Sequence, residues 1–550
     1  MQLLDKLNPV QRQAVTHPSG PLLILAGAGS GKTRVLTYRI AHLIENCGVR
    51  PHQILAITFT NKAAREMQER LEALVPNTRG MWVSTFHAAC MRMLRRDGER
   101  LGLGKNFVIY DTSEQTALIK QCLKDLSINS ERFKPSMVHG LISRAKNNLE
   151  SPEEYARYAR DPIEEKVASV YSLYQRKLLF NNAVDFDDLL YLTVELLQKH
   201  ADVRAGYQEQ FKHVLVDEYQ DTNRAQYELV RILAAGHRNL MVVGDDDQSI
   251  YAFRGANLRN ILDFEDDFPD ATVIKLEQNY RSTQNILEAA NAVVANNVGR
   301  KPKRLWTANT AGDPVQVLSA NDERDEASQI ADEIQLLHDQ GRSYDEIAIL
   351  YRTNAQSRVI EEAFLRRDIP YTMYRGIEFY KRREIKDIIA YLRLLVNPAD
   401  GTSFERIVNV PRRGIGATTL QRLNEYAEGH QVPLLLAAEQ ADKISSLGKA
   451  PASKLKAFAQ QVAEWRRMMD FLNVAELVET LLDQTGYKAD LEADGNDPEN
   501  LARLENLQEF VSVAKEFCLR EPDSGLDTFL AGIELLSDAD TQAEGEAVHM

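Results

Sequence analysis

Residues 22–34 read LLILAGAGSGKTR. The apolar run Leu22, Leu23, Ile24 and Leu25 predicts a buried strand, and Val35, Leu36, Tyr38 and Ile40 mark a helix just past the glycines. Strand, glycine-rich loop and helix in that order form the setting in which backbone cradles phosphate. Gly27, Gly29 and Gly31 carry no Cβ, so the chain through Ala26, Gly27, Ala28, Gly29, Ser30 and Gly31 can curl with its N–H groups inward. Those donors and the helix N-terminus favour an anion. Lys32 is expected to reach β- and γ-phosphates, and the Thr33 hydroxyl to ligate Mg²⁺. Ala26 stands where the strict pattern has glycine. A plain glycine-rich turn in a doubly wound fold is the alternative, and motifs further along weigh against it.

Outward from this loop the pattern is that of a parallel sheet covered by helices. ILAITF (54–59) and MWVSTF (81–86) read as strands, each with a helix behind it. HVLV (213–216), LMVVG (240–244) and TVIKL (272–276) should rejoin the same sheet. Between them, 106–186 is polar and helix-periodic and reads as a helical insertion. A second α/β set begins near 281, with VQVL (315–318), a helix over DEASQIADEIQLLHD and IAILYR (347–352). The chain is again mostly helical over 375–545. The expected division is therefore a first α/β domain from 1–105 plus 187–280 with its insertion 106–186. A second α/β domain covers 281–374, its insertion 375–545, and a short return 546–550.

A 550-residue chain with 44% hydrophobic and 27% charged residues is globular rather than disordered. No apolar run approaches the roughly 20 residues that span a bilayer. The opening MQLLDKLNPVQRQAV has an early Asp5 and no apolar core, so it is not read as a signal peptide. Cys47, Cys90, Cys122 and Cys518 lie far apart without metal spacing and read as reduced thiols of a cytoplasmic protein. The net charge of −14 argues against a uniformly basic coat, but a local basic groove is enough for nucleic acid.

The second strong signal is HVLVDEYQD (213–221). A strand there delivers Asp217 and Glu218 at its carboxyl end, where ligands bind in such sheets. Asp217 is expected to hold Mg²⁺, and Glu218 to orient and deprotonate an attacking water. In LMVVGDDDQSIYAFRGA (240–256), Gln248 follows a strand and is placed to sense a γ-phosphate. Tyr251, Phe253 and Arg254 offer aromatic faces and a cation, the pairing that stacks bases and holds phosphate. In LEQNYRS (276–282), Arg281 could act as an arginine finger within the chain and Tyr280 could stack on adenine. Gln11 carries an amide that can pair with the two polar edges of adenine. Phe59, Asn61, Thr85 and His87, in ITFTNKAAREM (57–67) and STFHAAC (84–90), suit contacts to a single strand.

Together these stretches resemble the superfamily 1 DNA helicases of the UvrD/PcrA/Rep family over the whole chain. The motifs stand in the family's order: Gln11, the loop around Lys32, TFTNKAAREM, the TFH stretch, DEYQD, GDDDQSIYAFRGA and QNYRS. YRTNAQSRVIEE (351–362), FYKRREIKD (379–387) and RLENLQEF (503–510) also fit. PRRGIGATTL (411–420) resembles the family's duplex-gripping segment. There Gly414, Gly416 and Thr418 open a helix whose free N–H groups can take phosphate. The resemblance implies two RecA-like P-loop NTPase domains, each interrupted by a helical insertion. It implies an ATP-driven, Mg²⁺-dependent motor that moves 3′ to 5′ on single-stranded DNA and opens single-strand/duplex junctions in repair or replication restart.

In that frame Lys32, Thr33, Asp217, Glu218, Gln248 and Arg281 carry hydrolysis, and Gln11, Arg34 and Tyr280 frame the nucleotide. Phe59, Thr85, Phe253 and Arg254 line the DNA track. Repair or replication proteins are the implied partners, with a monomer or weak dimer as the assembly and no membrane contact. Phe253 stands where the family usually has Trp. The family's TLH-x-AKGLEF string and a second arginine-finger motif do not occur, so the second motor domain is expected to be incomplete. The matching alternative is a nucleotide-gated fragment that binds single strands with little turnover.

Overall fold

The Leu22–Ala26 run lies near one edge of a six-stranded parallel sheet in the computed structural model of the chain. The structure describes residues 3–252, 255–353, 356–373, 378–493, 498–522, 524–534 and 546–550. In chain order the strands are β1 (Leu22–Ala26), β2 (Ile54–Thr58) and β3 (Trp82–Thr85), then β4 (Val108–Tyr110) and β5 (Ala183–Asp185). β6 (His213–Val216), β7 (Leu240–Gly244) and β8 (Thr272–Leu276) follow. The main sheet runs β3-β2-β6-β7-β1-β8, with Leu22 opposite Met241 on one side and Thr272 on the other.

The five strands expected around the glycine loop are thus present, and the runs of β1, β2 and β7 are buried on both faces while the edge strands β3 and β8 are only partly so. Side chains alternate across the sheet. Leu23, Leu25, Leu55 and Ile57 pack under helices Phe86–Asp97, Phe186–Lys199 and Arg224–Ala234. Leu22, Ile24, Ile54 and Ala56 pack on the other face with Val35, Leu36 and Ile40 of helix Lys32–Glu45. Because the strands are parallel, the loops that follow β1, β2, β3, β6, β7 and β8 emerge at one edge, the carboxyl ends of the strands.

The stretch 106–186 is helical as expected, with its own core around Leu118, Ile142, Tyr171 and Leu178. It also holds a strand pair not anticipated, β4 against β5, near its two ends. A large separate helical core spans Ile385 to Leu530.

The second α/β region differs from expectation. Its strands are short: β9 (Gln278–Asn279) pairs β10 (Trp306–Thr307), and β11 (Tyr371–Thr372) pairs β12 (Val548–His549). Residues 315–318 form no strand, and 347–352 contribute only a bridge from Ala348 to His549. Residues 315–318 are all exposed, Val317 at 89%, so no layer covers that run, whereas Ile347, Ile349 and Tyr351 pack on one side against a small core and leave Leu350 95% exposed on the other. What packs there is a small core of Ala331, Ile334, Phe364 and Val548 between helices Glu323–Asp339 and Ser357–Arg366. Among the described residues no helix is long and apolar enough to cross a membrane.

Candidate active site

The glycine loop follows β1, and Gly31, with φ +88°, caps helix Lys32–Glu45. Gly29 has φ +67°, and a Cβ there would lie 2.6 Å from Asn279 Nδ2 and 2.7 Å from Arg281 Cβ. Only glycine accepts both the left-handed backbone and that approach. The Asn279 amide donates to the Ala28 carbonyl at 2.6 Å, and the Tyr280 N–H to the Gly29 carbonyl at 2.9 Å. Ser30 Oγ donates back to the Gly27 carbonyl at 2.7 Å. With its carbonyls held from behind, the loop is a rigid curl at a helix N-terminus, the form that suits an anion.

Acidic side chains face this loop. Lys32 Nζ lies 2.8 Å from Glu218 Oε2, with the two side chains 12% and 33% exposed. Glu218 sits in the left-handed region at φ +50°, at the turn after β6. Asp217 is buried beside it and accepts from the Glu218 N–H at 3.0 Å. Burial, with Glu218 adding its charge, pushes the Asp217 carboxyl up to about 6, against the pull of Lys32. Asp221 is pushed up to about 6 by the same two causes. A buried carboxylate beside a second one gains most from a hard cation. Asp217 and the Thr33 hydroxyl in the first helical turn supply oxygen donors of the kind Mg²⁺ takes.

Gln220, which sequence reasoning passed over, joins two motifs. Its Nε2 donates to Glu218 Oε2 at 2.8 Å, and its Oε1 accepts the Asp245 N–H at 2.9 Å. Asp245 in turn accepts the Gln248 side-chain amide. Gln220 stands inside the DEYQD string, but no sequence pattern shows that it bridges β6 to β7. Asn279 likewise stands in QNYRS, where the pattern alone gives it no task.

Several expected roles meet a different geometry. Gln11 is 2% exposed, its Nε2 donates to the Ser30 carbonyl at 3.0 Å, and its Oε1 accepts the Asn8 N–H at 3.2 Å. The amide expected to read adenine is thus engaged at both ends, because Gln11 lies three residues after the helix cap Asn8 and completes a capping box. Arg34, expected to frame a nucleotide, donates to the Lys6 carbonyl at 2.8 Å and lies over the Tyr38 ring. Tyr280 is 46% exposed, with its hydroxyl accepting from Asn8 Nδ2 at 2.7 Å. Arg281 is exposed beside Gly29.

The residues expected along a DNA track divide. The Phe59 and Tyr251 rings, after β2 and β7, lie 4.9 Å apart and are both half-buried, a ready aromatic platform. Asn61 opens helix Asn61–Glu72 behind the cap Thr60. Thr85 is 6% exposed, and its hydroxyl accepts the Ala88 N–H at 3.3 Å. It caps helix Phe86–Asp97, so its oxygen is taken by backbone. His87 stacks on Phe186 at 3.9 Å, and burial lowers it to about 3, so it is neutral. Phe253 and Arg254 lie outside the described residues. Gly414 (φ +70°), Gly416 and Thr418 are exposed at the start of helix Ala417–His430, while Ile415 between them is buried.

The model of the UvrD/REP helicase N-terminal domain matches residues 7–269, and that of the UvrD-like helicase C-terminal domain matches 274–550. The chain is 50% identical to the ATP-dependent DNA helicase PcrA of Leuconostoc citreum, over 99% of this chain and 74% of that protein. It is 50% identical to the protein of that name from Bacillus subtilis, over 98% and 73%, and 48% identical to one from Staphylococcus epidermidis, over 98% and 75%. Both helicase domains are matched, so the expectation of an incomplete second domain, and the fragment reading built on it, find no support there.

Proposed function

This chain belongs to the UvrD/Rep helicase family and is an ATP-dependent DNA helicase, and from that membership we propose how its site works. It moves 3′ to 5′ on single-stranded DNA and opens duplex at junctions, in repair or replication restart, in the bacterial cytoplasm as a monomer or weak dimer. The observation that carries the reading is the Lys32–Glu218 pair at 2.8 Å, set against a glycine loop whose carbonyls are tied from behind by Asn279 and Tyr280.

The triphosphate of ATP competes for the Lys32 ammonium, because phosphate carries more charge than one carboxylate. Glu218, released from Lys32, accepts the proton of the attacking water, while Gln220 keeps its carboxylate oriented. Thr33 and Asp217 would hold Mg²⁺, which offsets the phosphate charge when bound. Gln248 reports the γ-phosphate to the DNA side, and Arg281 stabilises the charge of transfer. Phe59 and Tyr251 stack bases, joined in this role by Phe253, and Arg254 holds backbone phosphate. Gly414, Gly416 and Thr418 take duplex backbone.

The experiment is ATP hydrolysis by the chain with and without oligo-dT, beside Glu218→Gln. Strong stimulation by DNA and a fall of about 10²–10⁴ in the variant, with nucleotide binding retained, is the expected result. Equal turnover in both proteins would remove Glu218 from its role.

A further inference from the structure

Three consecutive carboxylates, Asp245, Asp246 and Asp247, close β7. Their oxygens lie within 4.8 Å of one another, and Asp245 and Asp246 are buried. Such a cluster demands a counter-charge. Here the protein supplies it. Lys303 Nζ lies 2.9 Å from Asp245 Oδ1 and 2.7 Å from Asp247 Oδ2, and it also bonds Asp246. The Lys303 side chain is 3% exposed. An ammonium has three N–H donors, and each finds its own carboxylate. Arg300 adds a fork on Asp247, with Nε at 2.9 Å and Nη2 at 2.6 Å, and the Lys301 N–H donates to Asp246 at 2.8 Å. A protein cation therefore stands where a metal ion would otherwise be invoked.

The clamp comes from the other α/β region. Residues 300–303 run between helix Gln284–Val294 and β10, and β10 pairs β9, whose Asn279 ties the glycine loop. Asp245, gripped by Lys303 through Oδ1, accepts the Gln248 amide through Oδ2. It also donates its N–H to Gln220, which holds Glu218.

We propose that Lys303 is a positioning residue for ATP hydrolysis. Its grip on the three aspartates holds the Asp245–Gln248 turn, and thereby aims Gln248, in register with the second α/β region. This rests on the reading of Gln248 as the γ-phosphate group. Loss of the ammonium lets the carboxylates repel and the turn swing away, without touching the loop that binds nucleotide.

The test is a double-mutant cycle on the full chain: DNA-stimulated kcat and KM for ATP in wild type, Lys303→Met, Gln248→Ala and the double variant. Lys303→Met should lower kcat about tenfold while KM moves less than about threefold, and it should cost nothing further in the Gln248→Ala background. Multiplicative losses, or an unchanged kcat in Lys303→Met, would overturn the proposal while leaving Gln248 its role. An unchanged kcat in Gln248→Ala would instead overturn the reading of Gln248 itself. Circular dichroism checks folding. If Lys303→Met does not fold, Arg300→Gln, which cuts only the fork on Asp247, enters the same cycle and decides by the same non-additivity.

Discussion

Asp217 and Glu218 are neighbours with opposite burdens. Glu218 has a cation at 2.8 Å, whereas Asp217 is buried and held up to about 6. A folded-state pKa above the unfolded value means that the ionised form costs stability once pH rises through it. The penalty is absent below about pH 4 and complete above about pH 7. The neutral isostere Asp217→Asn should therefore melt at a higher temperature than wild type at pH 7.5, by up to about 3 kcal/mol of stability, and match it near pH 4. Thermal melts at the two pH values check this, and a variant that melts lower at pH 7.5 would mean that Asp217 is net stabilised as an ion. Thr85 separates a structural task from a binding one. Thr85→Val removes the cap of helix Phe86–Asp97 and should cost about 0.5–2 kcal/mol in denaturant melts, with affinity for oligo-dT unchanged. A weakened affinity at unchanged stability would put Thr85 on the DNA track.

At the scale of the element, the glycine loop is defined from two sides. β1 and the helix behind it were readable from apolar runs, and so was the need for small residues between them. The reason Gly29 in particular is glycine was not readable, because the atoms it meets belong to Asn279 and Arg281. Gly29→Ala should force a Cβ into the Asn279 amide and strain a backbone at φ +67°, costing about 1–2 kcal/mol from the backbone alone. The loop carbonyls would then lose their ties, and ATP affinity should fall while DNA binding without nucleotide holds. Fluorescent-nucleotide titration beside oligo-dT binding tests the split. The strands of the second α/β region show the opposite case. Their apolar runs resemble those of the first sheet, yet a strand exists only where a neighbour supplies its hydrogen bonds, and 315–318 have none among the described residues.

At the scale of the whole molecule, the two helical regions face each other through polar contacts. Tyr110 Oη donates to Asp400 Oδ1 at 2.8 Å, Lys386 Nζ lies 2.6 Å from Asp111, and Asn397 Nδ2 donates to the Asn181 carbonyl at 2.9 Å. Arg393, nearly buried, pairs with Glu114 and donates to the Ile109 carbonyl at 2.9 Å. Burial raises the Glu114 carboxyl despite that arginine. Removing one partner of such a pair strands the other charge, a loss of about 3–5 kcal/mol. Arg393→Met should therefore let the regions separate, seen as a larger radius of gyration in small-angle scattering, while each helical core keeps its circular dichroism signal. No change in scattering would mean that the remaining contacts suffice.

The sequence by itself determined the sheet, the glycine loop and the acidic turn after β6, because each rests on short-range order, and the order of the motifs along the chain pointed to the helicase family. Apolar runs make strands, missing Cβ atoms make tight loops, and both act within a dozen residues of chain. The tertiary structure alone decided which distant groups meet. Asn279 reaches the Ala28 carbonyl across 251 residues, and Lys303 reaches Asp246 across 57. Gln11 turns from solvent into a capping box against the loop. A buried polar group must find a partner, and any of many lysines or amides has the right chemistry. Which one arrives is set by the packing of the sheets and helices that carry it.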